Sequence, residues 1–495
     1  MAYSPGRSET LDLGSEEEVT MNNAGLLKAP DRYQEFVFAL VAASSLAIVY
    51  SAGVGIAGGK PVALIALPLL AVLIASTMSF AWSTLFLIVS LFVNAHVSAF
   101  SSAVWFAFVF GVSFLLDREG IRWRDLTHPL STPLLIYGLC ILPSLLKTTV
   151  LWTSLFSLLN IAAFLIVMYA TAAGFRTLKT VRTAAGIFLV MVLLNSIDVM
   201  RLSLAGDNRP FGFAGIMFVD YVALGLCIAA TIVVVTRGRS RFIFLVLLFF
   251  IAVGLVLTQT RNTWLSAIIT LVVLACYLIV HPEIVGYTRK RLLFITLVGS
   301  LALTVGILTA VYLNPRVQSR AVDLVDPSKF VVSDAGVGGN SLISRLFIWV
   351  TAYNAFRENP VFGVGIYSFP HSSHRYYAFP RTFYNLYVKG NSPHQTHLAV
   401  LAETGIIGFA GFLVFLGSAL TCACRGIRNA TSAKGKHFAL VAAIATVYCA
   451  VSMAFSDAWL FGQGIVLFGI VLGSMLSIRR INSSAVVGAP SHHMS

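Results

Sequence analysis

The sequence predicts an all-α integral membrane protein of about fourteen transmembrane helices with one long extracytoplasmic loop. Three observations carry that prediction. Of the 495 residues, 58% are hydrophobic and only 11% charged, and the mean hydropathy of +0.86 is far too apolar for a soluble fold of this length. Apolar runs of about 17 to 25 residues recur along the chain, each matching the ~30 Å hydrocarbon core that a helix must cross. Short clusters of Lys and Arg separate alternate runs, as the positive-inside rule requires. A transmembrane barrel is excluded, because runs such as Ile243 to Leu257 are apolar on all sides and lack a period of two.

In chain order, residues 1–33 are polar, carry Glu16, Glu17 and Glu18, and show no charged-then-apolar signal pattern, so they read as a disordered cytoplasmic tail. Expected spans follow at 36–57, 61–78, 80–97, 101–117, 130–147, 151–173, 184–204, 213–235, 241–258, 262–280 and 292–313. In 61–117 the spans fit with almost no linkers, so a re-entrant segment and a total of twelve or thirteen are also compatible. Residues 34–313 thus form an N-terminal bundle of about eleven helices, and 314–396 form the long loop. Spans at 397–421, 437–455 and 459–477 make a C-terminal unit of three helices over 397–478, before a cytoplasmic tail at 479–495.

The basic clusters, among them Arg118 with Arg122 and Arg124, Arg237 with Arg239 and Arg241, and Arg479 with Arg480, fall in alternate connections. Both termini are then cytoplasmic. The net charge of +14 resides in these clusters rather than in one basic domain, which argues against a nucleic-acid partner. Cysteines sit in or at the ends of spans, so neither a disulfide nor a metal site is expected.

The long loop is net basic, with Arg345, Arg357, Arg375, Arg381 and Lys389 among its charges, which suits an anionic ligand or phospholipid headgroups. Within it, Ser344 to Glu358 reads as an amphipathic helix. Ser344 is placed to cap it, Leu346, Phe347, Val350 and Tyr353 recur at helical spacing, and Asn359-Pro360 ends it. Gly363-Val-Gly365 then turns the chain. An aromatic run from Tyr367 to Tyr387 suits either the headgroup level or stacking on sugar rings.

Three polar features share the membrane face of that loop. Arg209 lies in the short connection Asp207-Asn-Arg-Pro-Phe-Gly, Arg261 follows a span in Thr258-Gln-Thr-Arg-Asn-Thr-Trp, and His394 opens the twelfth span. A guanidinium at the apolar boundary faces either a cavity or lipid phosphates. His394 and His397 share a helical face, but no third ligand accompanies them. A lone imidazole there serves either as a structural hydrogen-bonding group or as a proton acceptor near neutral pH. Asp198 with Arg201, Asp220, Glu403 and Asp457 read as structural ionisable groups in or beside spans.

Taken together, Thr258-Gln-Thr-Arg261-Asn-Thr-Trp-Leu, the segment from Ser344-Arg-Leu-Phe-Ile-Trp to Asn359-Pro-Val-Phe-Gly-Val-Gly, and His394-Gln followed by Gly405-Ile-Ile-Gly408 resemble the O-antigen ligase and polymerase family in order and spacing. The resemblance covers roughly residues 195 to 475. It implies a metal-independent, inverting glycosyltransferase of the bacterial inner membrane, GT-C-like in fold and without a cofactor. Such an enzyme acts at the periplasmic face on an undecaprenyl-pyrophosphate-linked oligosaccharide, in O-antigen, lipopolysaccharide or exopolysaccharide biosynthesis. The acceptor is lipid A-core or another glycan, and the implied partners also include membrane lipids and a chain-length regulator protein. By the same resemblance Arg261 and His394 correspond to the family's functional arginine and histidine and Arg209 to a second loop arginine, with the arginines expected to grip the pyrophosphate and His394 to act as the catalytic base; Arg345, in the amphipathic helix, reads either as lining the donor entrance or as a surface arginine. Asn262 departs from the small residue the family places after its arginine. A transporter or flippase of lipid-linked glycan is the competing class; against it, the halves show no internal repeat and the polar residues gather at one membrane face.

Overall fold

The computed structural model describes residues 80–93, 127–207, 210–215, 218–294, 297, 312, 341–457 and 464–487. No strand occurs among them. The main helices are α1 (Phe80–Val93), α2 (Ser131–Ile141, continued by a tighter turn to Lys147), α3 (Leu151–Gly174), α4 (Leu178–Leu204), α5 (Phe218–Val235) and α6 (Arg239–Leu257). They continue as α7 (Arg261–Val280), α8 (Ser341–Glu358), α9 (Thr396–Arg428), α10 (Ala433–Ser452) and α11 (Gly464–Val487). Among the described residues, seven helices are long and apolar enough to cross a membrane, namely α3, α4, α6, α7, α9, α10 and α11. α5 and the α2 segment are shorter apolar helices. The expected spans 36–57, 61–78 and 101–117, nearly all of 292–313, and the tail at 1–33 lie outside the described residues.

Two helix ends differ from the hydropathy pattern because hydrogen bonding sets them. α4 starts at Leu178 rather than near 184, since the Thr177 hydroxyl caps it by accepting from Thr180 N. α11 runs on past residue 477 to Val487. Its Arg479 donates to Cys422 Sγ at 3.2 Å and its Arg480 to the Ala173 carbonyl at 3.3 Å, which ties this last stretch to α9 and α3.

The bundle packs through small and aromatic residues. A Cβ on Gly473 would lie 2.6 Å from the Met168 carbonyl oxygen, so glycine lets α11 press against α3, and Ser477 donates to the Ala172 carbonyl at 2.9 Å across the same seam. Phe164 of α3 and Phe468 of α11 stack at 5.6 Å. Phe415 of α9 meets Tyr137 of α2 at 6.1 Å. Outward faces stay apolar: Phe242, Ile243 and Phe249 of α6 are all exposed, as helices facing lipid require.

The long loop has its own small core. Phe347 of α8 packs on Phe383 at 5.3 Å and on Phe379 at 4.9 Å, and Phe369 is fully buried, so much of the aromatic run holds the loop together. α8 begins at Ser341 and ends, as expected, at Glu358. Its buried face is Phe347, Ile348, Thr351, Ala352 and Ala355, whereas Leu346, Val350 and Tyr353 point outward. The stripe read from spacing is therefore split between two faces, because aliphatic residues occupy both and α9 contacts only one.

Candidate functional site

Each end of the site is built by a short sequence pattern that bends a helix terminus. After α6, the segment Thr258-Gln-Thr makes a buried tight turn that delivers Arg261 to the first position of α7. Hydroxyls hold the turn: Thr258 donates to the Leu255 carbonyl at 2.7 Å and Thr263 to the Thr260 carbonyl at 2.8 Å. The Trp264 indole N–H donates to Leu255 O at 2.9 Å. This explains why threonines and a tryptophan flank the arginine, since the groups a helix end leaves unpaired need such partners.

His394 sits one residue before the side-chain cap of α9, where Gln395 accepts from Leu398 N at 2.9 Å. The segment is stitched to the connection after α10: Thr396 N donates to Met453 O at 2.9 Å, and the Thr396 hydroxyl donates to Ser456 O at 2.7 Å. Asp457, on that connection, faces the histidine. Its Oδ1 lies 3.8 Å from His394 Nδ1, and its Oδ2 accepts from His394 N at 3.2 Å and from the Ser392 hydroxyl. The Asp457 side chain is 17% exposed and that of His394 43%, so the carboxylate is sheltered and the ring is open on one side. Burial alone would raise the Asp457 carboxyl, but the hydrogen bond and charge of His394 and the Ser392 hydroxyl outweigh it and hold it below its ordinary value.

Two further elements reach this platform. The Trp349 indole of α8 donates to the Pro393 carbonyl at 3.0 Å, one turn along from Arg345. Arg345 is half-buried; burial lowers its guanidinium below the ordinary range, and the attraction of Asp457 partly offsets that. On the other side, Asn262 Nδ2 approaches the Phe455 carbonyl at 3.5 Å, which joins the start of α7 to the same connection. The fold thus gathers Arg261, Arg345 and His394 at one end of the bundle. Arg209 lies outside the described residues. Further along the chain, the buried Asn195 of α4 donates to Phe211 O at 3.0 Å and accepts from Ala214 N at 2.8 Å. His397 is not part of the cluster, and packs edge-on against Phe412 with centroids 5.6 Å apart.

Among the described residues, three that are not glycine adopt a left-handed backbone: Gln259, Tyr367 and His394. Each such residue costs about 1–2 kcal/mol, and all three stand at this site, in the turn before Arg261, after Gly365, and at the histidine itself. Strain collected at one place points to function there. Tyr367 N is held by the buried Glu403 carboxylate at 2.9 Å, so Glu403 anchors the loop and does not pair with His394.

Asp457 is the site residue that sequence reasoning passed over as merely structural. Because its folded-state carboxyl is depressed, the ionised group stabilises the fold above the ordinary carboxylate value of ~3.9, and that contribution fades as pH falls through the lower folded value. The stability difference between wild type and Asp457→Asn should therefore shrink as pH falls below about 4. Thermal melts of both proteins across that range check this; a difference that grows toward low pH would contradict it.

Apolar transmembrane helices, several of them exposing aliphatic and aromatic faces, make this a multi-pass helical membrane protein. Residues 246–413, which carry Arg261, Arg345 and His394, match the protein-family model described as O-antigen ligase. That match falls within the stretch whose motifs resemble the O-antigen ligase and polymerase family, and it supports the resemblance. Comparison with curated proteins gives no match.

Proposed function

We propose that the protein is a metal-independent, inverting glycosyltransferase of the bacterial inner membrane that takes its glycan from undecaprenyl pyrophosphate at the periplasmic face. The observation that supports this best is the His394–Asp457 contact, set beside Arg345 and on the same platform as Arg261, with the histidine and both arginines inside the segment that matches the O-antigen ligase family model.

A glycosyl pyrophosphate already carries a good leaving group. The protein has to hold it, offset its growing charge and activate an acceptor hydroxyl. In this reading Arg261, Arg209 and Arg345 bind the pyrophosphate oxygens by charge-assisted hydrogen bonds. The acceptor oxygen attacks the anomeric carbon, the bond to pyrophosphate breaks with its electron pair leaving on phosphate oxygen, and His394 takes the hydroxyl proton. Asp457, nearer Nδ1, orients the ring and leaves Nε2 for the substrate. One displacement inverts the anomeric centre.

The test is transfer by purified protein in nanodiscs with a native lipid-linked oligosaccharide and EDTA, read as products on a gel. Products that persist in EDTA are expected, longer lipid-linked chains without added core identifying a polymerase and core-linked products a ligase. Movement of the lipid-linked glycan between leaflets without any product would overturn the reading in favour of a transporter. Within this reading, Arg345→Ala should lower the rate several-fold at limiting donor and little at saturating donor; identical rates at limiting donor would remove Arg345 from the donor site.

A further inference from the structure

At the end of the bundle away from His394, the first turns of α4 and α10, the last turns of α5 and the stretch Leu467 to Ile478 of α11 enclose a half-open cavity of about 370 Å³. That size falls within the ~300–1,000 Å³ of small-molecule sites. Its walls are aliphatic and aromatic, with Leu189, Ile228, Phe438, Val441 and Ile470 among them. At its outer end stand Arg182 and Lys434, both exposed, and His437. Among the described residues, no acidic side chain lines it. His437 is already engaged, its Nε2 donating to the Ile284 carbonyl at 3.1 Å, which leaves the two exposed cations to face a ligand.

We propose that this cavity is a binding site for one anionic phospholipid of the adjoining leaflet, an acyl chain filling the apolar part and the phosphate lying between Arg182 and Lys434. Charge complementarity selects this occupant. A polyisoprenyl carrier whose pyrophosphate sits at the His394 end would need no basic rim at the other, and a zwitterionic lipid would gain little from two cations without an acid among them. Basic pockets between transmembrane helices recognise anionic headgroups in this manner, and an apolar void of this size in contact with a bilayer is filled by the hydrocarbon beside it. The site stands apart from the transfer chemistry, and only the exclusion of the carrier lipid rests on the proposed function.

The experiment uses the full-length protein, purified in detergent, delipidated and titrated with phosphatidylglycerol or phosphatidylcholine, with bound lipids counted by native mass spectrometry. Wild type should take up one phosphatidylglycerol in preference to phosphatidylcholine. Arg182→Gln with Lys434→Gln changes only exposed side chains and should weaken phosphatidylglycerol about twenty-five-fold, since each cation near an anionic surface contributes roughly a fivefold preference. Equal uptake of the two lipids by wild type, or unchanged phosphatidylglycerol binding in the double variant, would overturn the proposal. So would displacement of phosphatidylglycerol by undecaprenyl phosphate at equal concentration, which would assign the cavity to the carrier lipid.

Discussion

Gly405→Ala should lower the thermal midpoint of the purified protein by roughly 5 °C or more, or abolish its recovery in detergent. Gly405 interrupts α9 with φ +64° and ψ −167°, a conformation that costs a residue with a side chain about 1–2 kcal/mol. There is also no room: a Cβ there would lie 2.3 Å from the Val361 carbonyl oxygen and 2.7 Å from Gly363 N. The facing backbone cannot yield without losing bonds, because Ile406 N donates to Pro360 O at 2.8 Å and Gly365 N to Glu403 O at 3.0 Å. Overpacking adds about 1–3 kcal/mol, so the sum is a large share of a typical stability of ~5–15 kcal/mol. Gly363 is the reciprocal position, at φ +68° and with a Cβ 2.3 Å from the Glu403 carbonyl carbon. The two glycine motifs of the sequence are thus the two halves of one backbone clamp that seats the long loop on α9 behind His394. Gly417→Ala is the control, lying in the same helix with nothing within 4 Å of its Cβ, and should melt with wild type. Equal midpoints for Gly405→Ala and wild type would show that the clamp does not matter.

The second large effect is on turnover. Removing a general base typically costs ~100- to 10,000-fold, and His394→Ala should lose at least ~100-fold with only a small change in melting temperature, because the His394 side chain is 43% exposed and Asp457 keeps its bonds from His394 N and the Ser392 hydroxyl. The loss should be in kcat, since the proton leaves the acceptor only as the bond forms. Asp457→Asn should lose less, as it orients the ring and leaves the base in place. A fall in kcat for Asp457→Asn larger than that for His394→Ala would reverse these roles.

How much of this was legible in the sequence depends on the distance over which each feature is encoded. The spans between 130 and 280 were readable because a run of apolar residues is a local record of the solvent around it, and the structure places helices on them. The short motifs around Arg261 and His394 were readable too, and the geometry explains their Thr, Trp and Gly residues as turn caps and clamp at two helix ends. Asp457 was not, because its meeting with His394 joins residues 63 apart, and an aspartate beside a span has many structural uses. The left-handed backbone of Gln259, Tyr367 and His394 was equally hidden, since glycine marks such places and these residues do not. Hydropathy also misplaced the start of α4, where a threonine cap decides, and the inner face of α8, where aliphatic residues occupy both sides.

The claim at the centre of the account is that His394 acts on the acceptor while the arginines hold the donor. The measurement that separates these is donor binding and single-turnover transfer for wild type and His394→Ala side by side in nanodiscs, with the lipid-linked oligosaccharide labelled. The account predicts equal donor affinity and transfer reduced at least ~100-fold in the variant. Transfer at the wild-type rate by a folded His394→Ala protein would contradict it.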